Sequence, residues 1–97
     1  MITIEGNSVE KNGVHIAQFD HQTIYDETGG VIVKLSSGSI INQYGTILAK
    51  VERGGVVSSS GHVLSSMGPV RKSFNNANAL PDEIVGALWL LLVKGMR

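Results

Sequence analysis

The sequence predicts a single, mostly β domain made of four pseudo-symmetric β-hairpin repeats of 16 residues and one C-terminal α-helix. Two observations lead to this fold class. Glycine recurs every 16 residues through most of the chain, and the glycine-rich part then gives way to a helix-forming pattern. A chain of 97 residues, 42% of them hydrophobic, has room for one modest core, so residues 1–97 are treated as one domain.

The repeats occupy residues 6–69. Cut at the 16-residue period, this region reads GNSVEKNGVHIAQFDH, QTIYDETGGVIVKLSS, GSIINQYGTILAKVER and GGVVSSSGHVLSSMGP. Apolar residues also recur at fixed positions on both sides of the repeated glycine. A unit this short, with two β-rich runs around a polar turn, is typical of a β-hairpin.

The repeated glycines are expected at the hairpin turns. A residue suited to the first position of a type I turn precedes each glycine by three residues, and the glycine then supplies the positive φ that closes the hairpin with a bulge. The first positions are held by Glu10, Asp26, Asn42 and Ser58. The structural turn glycines are Gly13, Gly29, Gly45 and Gly61.

A second glycine column predicts the return turns between hairpins. Its members are Gly6, Gly38 and Gly54, and Gln22 replaces glycine in the second repeat. Both sides of the predicted strands carry apolar columns. A bulge at each glycine also shifts the alternation of side chains between the two faces of the strand. The sequence therefore leaves open which face of the hairpins forms the core.

Three serines near a histidine, in the stretch VVSSSGHVLSSMG, raise the question of a catalytic nucleophile and its base. Ser58, Ser59 and Ser60 occupy the turn positions that EKN, DET and NQY occupy in the other repeats. No acidic residue in the fourth repeat could orient His62. We therefore predict turn residues, no catalytic residues, and a protein that is not an enzyme.

The other two histidines also favour a structural interpretation. His15 stands in a column otherwise filled by aliphatic residues, which predicts a partly buried histidine with a hydrogen-bond partner. His21 is expected to be solvated at a return turn. Because the three histidines are scattered over separate repeats, we predict no metal site, and the sequence gives no sign of a cofactor.

The repeats carry a resemblance to a known family. TIYDETGGVIVKL, followed by GSIINQYGTILAKV, resembles the G-x-I-Y-D-x-x-G-x-x-I-x-x-I units of the bacterial β-flower proteins, and most nearly the four-fold β-flower family. Only Tyr25 and Asp26 keep the Tyr-Asp pair. The resemblance covers about residues 5–69 and implies four hairpins arranged as petals about a pseudo-fourfold axis, with no activity or catalytic residues attached.

The tail departs from the repeat. Residues 70–80 are expected to be a polar connection, and residues 81–94 a helix, since Pro81 suits a first helical position and acidic residues follow it. One broad apolar face would cover the hairpins. Leu90 and Val93 leave an apolar strip on the reverse side, where Gly86 permits close approach of another helix. We predict an interface between chains that includes Gly86, Trp89, Leu90 and Val93.

Charge and composition limit the classes of partner that the protein could bind. The formal net charge is zero, which argues against nucleic-acid binding, and the chain contains no cysteine. The longest apolar run, 87–93, is far too short for a membrane span, and the first residues do not form a signal peptide. We expect a cytoplasmic protein.

These observations favour a non-enzymatic interaction or assembly module. It would self-associate through the C-terminal helix as a dimer or larger homo-oligomer and display its turns to an unidentified protein partner. The alternative is a protein that binds a small apolar ligand in a pocket near the pseudo-fourfold axis. Fold alone does not decide between them.

Overall fold

The computed structural model describes residues 1–96, which form one ten-stranded sheet and two helices. Each strand from β1 to β8 pairs antiparallel with the next one in sequence, and β10 pairs parallel with β1, so that β10 and β9 lie at the two ends of the sheet. The elements are β1 (Ile2–Glu5), β2 (Ser8–Lys11), β3 (Val14–Phe19), β4 (Thr23–Asp26), β5 (Val31–Ser36), β6 (Ser39–Asn42), β7 (Ile47–Glu52), β8 (Gly55–Ser58), β9 (Val63–Ser66), α1 (Met67–Lys72), β10 (Phe74–Asn75) and α2 (Asp82–Leu92).

The sheet is strongly curved. Nine inter-strand spacings of about 4.8 Å would give a flat sheet a width of about 43 Å. The longest dimension of the molecule is 35 Å. The predicted mostly β architecture with a C-terminal helix is confirmed. The hairpins are not separate units, since strands β1 to β9 form one continuous meander.

The concave face of this sheet holds the core. Inward positions alternate along the strands, as Val33 and Leu35 do in β5, and outward residues such as Lys34 separate them. Inward side chains from the first eight strands join α1 and α2 in one apolar cluster. The core face is thereby assigned: it is the face that contacts α2.

Helix α2 is buried on every side. All eight residues from Ile84 to Leu91 are buried, so the helix has no polar face along this length. A Cβ atom on Gly86 would lie 2.6 Å from Cγ2 of Val51, which shows how closely the helix backbone approaches the sheet. Contact on all sides is supplied jointly, because the sheet covers one side of the helix and α1 packs against it as well.

This burial corrects the predicted interface. Leu90 is fully buried and Gly86 and Trp89 also lie inside the chain, because α2 is enclosed between the sheet and α1 and keeps no unpartnered face. Only Val93, beyond the end of α2, is exposed, at 48%. The apolar strip expected from Leu90 and Val93 is therefore not formed, since only one of its two residues reaches the surface.

Three hairpin turns have the same construction. In the second hairpin the Asp26 N–H donates to Gly30 O at 2.8 Å, and the Gly29 N–H donates to Asp26 O at 3.1 Å. The same pair of bonds occurs at Asn42–Thr46 and at Ser58–His62. Each of these turns is a short loop closed by a glycine with positive φ.

The first hairpin is built differently. Lys11 pairs with Val14, so Asn12 and Gly13 alone form the turn, both with positive φ. Glu10 lies within β2 opposite His15 and does not begin the turn, in contrast to the prediction. Asn-Gly is the preferred pair for a two-residue hairpin loop. The chain therefore forms this short turn and not the longer turn that the repeat predicts. A fourfold equivalence of the hairpins is therefore not shown.

Each of the four hairpins contains a β-bulge. The bulge leaves one residue of the second strand without a cross-strand partner, and these residues are Ile16, Ile32, Leu48 and Leu64. All four are partly buried against the core. Bulges increase local twist, so their regular placement supplies the curvature of the sheet.

The return turns follow the glycine column. Gly6, Gly38 and Gly54 have positive φ in tight connections. The second repeat has Gln22 in place of this glycine. There the Asp20 carboxylate stabilises the return turn, because its Oδ1 accepts the N–H groups of Gln22 at 2.9 Å and Thr23 at 2.8 Å. An acidic side chain here satisfies backbone donors that the turn leaves free.

The stretch 70–80, expected to be a plain connection, carries structure. It contains the end of α1 and strand β10, which pairs with β1. Arg71 organises the segment: Nη1 donates to Ala77 O at 2.6 Å, and Nη2 donates to Leu80 O at 2.7 Å and to Asp82 Oδ1 at 2.6 Å. These bonds hold the segment against α1 at the start of α2, a long-range arrangement that the local sequence does not indicate.

Replacing Gly86 with alanine tests the close approach of α2. Overpacking costs about 1–3 kcal/mol, and the better helix propensity of alanine returns about 1 kcal/mol, so we expect a net loss of stability. In a Val51→Ala background the same change should cost much less, because the clashing methyl is gone and only Cγ2 of Val56, 3.2 Å from the added Cβ, remains close. Gly68→Ala, at a position where a Cβ meets no atom within 4 Å, is the control. Urea unfolding of the four variants and the wild type measures these free energies. An equal loss of stability from Gly86→Ala in the wild-type and the Val51→Ala backgrounds would contradict the contact.

Arg71→Met should lower the free energy of unfolding by about 2 kcal/mol, because it leaves two backbone carbonyls without their donor. Asp82→Asn should cost less, since an exposed ion pair contributes little. Lys72→Met, the same change at an exposed neighbour, is the control. Equal midpoints for Arg71→Met and Lys72→Met in chemical denaturation would contradict the structural role of Arg71.

Candidate functional site

The candidate site is the outer face of the sheet, defined as the face away from α2. Apolar residues form three cross-strand pairs here, one at the turn end of each of the last three hairpins. The pairs are Tyr25 with Val31, Ile41 with Ile47, and Val57 with Val63. In the first hairpin Glu10 and His15 hold this position, so the apolar series begins at the second hairpin.

The neighbouring strand adds a long polar side chain beside each apolar pair. Gln18 pairs with Tyr25, Lys34 with Ile41, and Lys50 with Val57. The outer face thus repeats one arrangement three times: an aliphatic or aromatic pair flanked by an amide or ammonium group. Equivalent residues stand two strands apart, a spacing of about 9.6 Å.

Much of this apolar surface contacts solvent. Val63 is 72% exposed, Ile47 40% and Val31 38%, and Tyr44 extends the surface at a turn tip with 82% exposure. A surface hollow of about 210 Å³ separates the second and third turns, and its lining includes Val31 and Tyr44. Single exposed apolar residues are ordinary, so it is their accumulation on one face of the sheet that makes this face the candidate interaction surface.

The serine cluster has a structural role in this geometry. Ser58 Oγ accepts the backbone N–H of His62 at 3.0 Å and lies 3.0 Å from Ser60 Oγ. Asn42 Oδ1 accepts the corresponding N–H of Thr46, and Asp26 Oδ1 that of Gly30. His62 thus approaches the Ser58 hydroxyl with its backbone, as the turn residues at the same position in the other hairpins do.

The other predicted residues lie apart from one another. Gly13, Gly29, Gly45 and Gly61 are at the turn tips with φ between 81° and 95°. His15 is exposed on the outer face, in contrast to the partial burial expected for it, because the bulge in β3 turns it away from the core. His21 is exposed at its return turn. Within residues 1–96, no three His, Cys, Asp or Glu side chains come together in a way that could hold a metal ion.

Sequence reasoning did not identify the outer face as a site. The signal was present in two columns, one containing Tyr25, Ile41 and Val57 and the other Val31, Ile47 and Val63. Because the bulge between the columns changes the alternation, the sequence did not show that both face the same way.

Hydrogen bonds set the electrostatics of the second hairpin. The hydroxyl of Thr28, together with the N–H groups of Gly30 and Thr28, lowers the pKa of Asp26. The N–H of Gln22 and the hydroxyl of Tyr25 lower the pKa of Asp20. The same bond to Asp20 raises the pKa of Tyr25. This arrangement fixes the Tyr25 ring on the outer face.

Comparison with protein-family models, with curated proteins and with solved structures finds no match to this chain. The fold and the outer face are therefore the basis for any functional proposal. Of the helices in residues 1–96, none has the length and apolar character needed to cross a membrane.

Asp26→Asn should make the protein less sensitive to acid. The folded-state pKa of Asp26 lies below its unfolded value, so the stability it contributes is present above the ordinary aspartate range and is lost as pH falls through the folded-state pKa. An asparagine keeps an oxygen acceptor, as Asn42 does in the next hairpin. We expect similar urea midpoints for the variant and the wild type near neutral pH, and a smaller fall for the variant on acidification.

Glu27→Gln is the control for this series, since Glu27 accepts no hydrogen bond within residues 1–96. It should leave the acid dependence unchanged. An Asp26→Asn protein that loses stability on acidification as steeply as the wild type would refute the assignment.

Proposed function

We propose that this protein is a non-enzymatic interaction and assembly module that self-associates through the outer face of its sheet. The observation that carries the proposal is the row of apolar pairs described above, in each of which the second-strand residue, Val31, Ile47 or Val63, is exposed. A chain of zero net charge has no electrostatic self-repulsion to oppose association. The C-terminal helix, expected from the sequence to be the contact, is enclosed in the core, so the outer face takes this role.

Energetics support this assignment. Burying a large aliphatic side chain contributes about 1.5–3 kcal/mol relative to leaving it exposed. Val31, Ile47 and Val63 together offer several such contributions in one row. Because a rigid sheet already holds these side chains in place, association loses little side-chain conformational entropy.

We further propose that the chain is a variant of the four-fold β-flower arrangement, with petals formed by consecutive hairpins. The common hydrogen bonds of the last three turns and the bulges at 16-residue intervals support this proposal. The first hairpin, with its Asn12-Gly13 turn, departs from the pattern. The family resemblance implies no activity, so the functional proposal is based on the outer face alone.

The alternative function, binding of a small apolar ligand near the pseudo-axis, has less support. The side chains of α2 occupy the concave side of the sheet, where such a pocket was expected. The hollows on the outer face include a larger one of about 400 Å³ lined by Lys34 and Ile41, which remains the place for a ligand under this alternative.

The oligomeric state tests the proposal. Sedimentation velocity of the wild type over a wide concentration range should show reversible association. The triple variant Val31→Lys/Ile47→Lys/Val63→Lys should remain folded and monomeric, because charge replaces the apolar row. The control Asn7→Lys/Gln22→Lys/Ser36→Lys changes exposed residues at the return turns and adds the same charge. A wild type that is monomeric at every concentration would refute self-association, and equal loss in both triple variants would refute the outer face as its surface.

A further inference from the structure

A hollow of about 260 Å³ lies on the outer face of the sheet beside Tyr25. It extends from the two return turns that precede β2 and β4 to the tip of the second hairpin. The residues that line it are Asn7, Gln18, Phe19, Asp20, Tyr25 and Gly29. Four of these six carry a side chain that forms hydrogen bonds, so the hollow fits a polar ligand better than an apolar one.

Tyr25 is held in one orientation at the side of this hollow. Its hydroxyl donates to Asp20 Oδ2 at 2.8 Å, while Asp20 Oδ1 accepts two backbone N–H groups of its own turn. The side chain therefore has its place before any ligand binds. An aromatic ring fixed in this way offers a flat apolar surface on which the C–H groups of a ligand can pack without further ordering of the protein.

Two amide side chains of the hollow are available to a ligand. Within residues 1–96, the side-chain amides of Asn7 and Gln18 take part in no hydrogen bond. A Cβ atom on Gly29 would lie 3.7 Å from Nε2 of Gln18, so the absence of a side chain there leaves this amide uncovered. A primary amide donates two hydrogen bonds and also accepts, so each of the two can bind a group that does both.

These groups match a saccharide better than an ion. A sugar hydroxyl both donates and accepts, as the amides of Asn7 and Gln18 do, whereas a cation would use only their oxygens. Three donors already occupy most of the roughly four acceptor positions of the Asp20 carboxylate, which leaves room for one ligand hydroxyl. Among residues 1–96, no lysine or arginine lines the hollow, so an anionic ligand would have no ionic partner there.

The next hairpin carries an equivalent hollow with different chemistry. Sixteen positions after Asn7, Gln18, Asp20 and Tyr25 come Thr23, Lys34, Ser36 and Ile41, which line the hollow of about 400 Å³. This second hollow has an ammonium group in place of an amide, and its described lining includes neither an aromatic ring nor a carboxylate. The repeated backbone thus forms both hollows, and the side chains give the one beside Tyr25 its own binding properties.

We propose that the hollow beside Tyr25 binds one neutral pyranose unit of a saccharide, with the C–H face of the sugar on the Tyr25 ring and its hydroxyls bonded to Asn7, Gln18 and Asp20. The site goes beyond the proposed self-association and does not depend on it, since one chain supplies every lining residue. Asn7 and Asp20 are exposed to water, which competes for the same hydrogen bonds. A single sugar unit therefore binds weakly, with a dissociation constant in the millimolar range.

NMR titration with methyl glycosides tests the site. The methyl pyranosides of glucose, galactose, mannose and N-acetylglucosamine are added separately at one fixed protein concentration, so that any self-association stays constant. At least one of them should shift the side-chain amide signals of Asn7 and Gln18 and the backbone amide of Gly29 in a saturable manner. The same glycoside should show an intermolecular NOE between its C–H protons and the Tyr25 ring. The backbone amide of Ser36, in the equivalent hollow, should not shift.

Three variants separate the hollow from the rest of the outer face. Tyr25→Ile introduces the residue that the next hairpin has at this position and should raise the dissociation constant about tenfold, because the ring contact is lost. Asn7→Ala, at an exposed turn outside the strands, removes one amide and should weaken binding several-fold. Lys34→Gln, the matched control, changes the equivalent hollow and should leave the dissociation constant unchanged.

The outcomes decide both the place and the class of ligand. Saturable shifts that Tyr25→Ile and Asn7→Ala weaken and Lys34→Gln leaves unchanged support the site. The absence of saturable shifts with all four glycosides overturns it, as does binding that neither Tyr25→Ile nor Asn7→Ala weakens. Methylguanidinium chloride is the cation probe, and shifts with it but with no glycoside would overturn the saccharide assignment. Self-association is measured separately by sedimentation, so its failure would leave this result standing.

Discussion

The enclosure of α2 by the curved sheet is the interaction on which the rest of the structure depends. Strands of four to six residues, paired only with their neighbours, have little stability until they share an apolar core. The helix supplies that core, with all residues from Ile84 to Leu91 buried. Gly86 allows the closest contact, because any larger residue would meet Val51.

This enclosure decides which surface is left for function. The helix fills the concave side of the sheet, and its residues from Ile84 to Leu91 offer no apolar face to another chain. The apolar residues that remain accessible are those of the outer face and the turn tips, such as Ile47 and Tyr44. The proposed self-association therefore places its contact on the sheet.

The bulges connect the curvature to that surface. By leaving Ile32 or Leu48 without a cross-strand partner, a bulge lets residues on both sides of it point outward, as Val31 and Lys34 do in β5. The same irregularity bends the sheet toward the helix. One repeated local feature thus produces both the enclosed core and the repeated apolar pairs outside.

The sequence by itself determined the features that depend on local hydrogen bonds. The turns at residues 26–30, 42–46 and 58–62 and the helix after Pro81 follow from short-range rules, and each lies where the sequence predicts a turn or a helix. The Asn12-Gly13 turn was also local, but the repeat pattern concealed it. Only the tertiary structure decided that Leu90 is buried, that Arg71 orders the segment before α2, and which face is outer. These depend on contacts between residues far apart in sequence, and the bulges break the alternation that would otherwise report them.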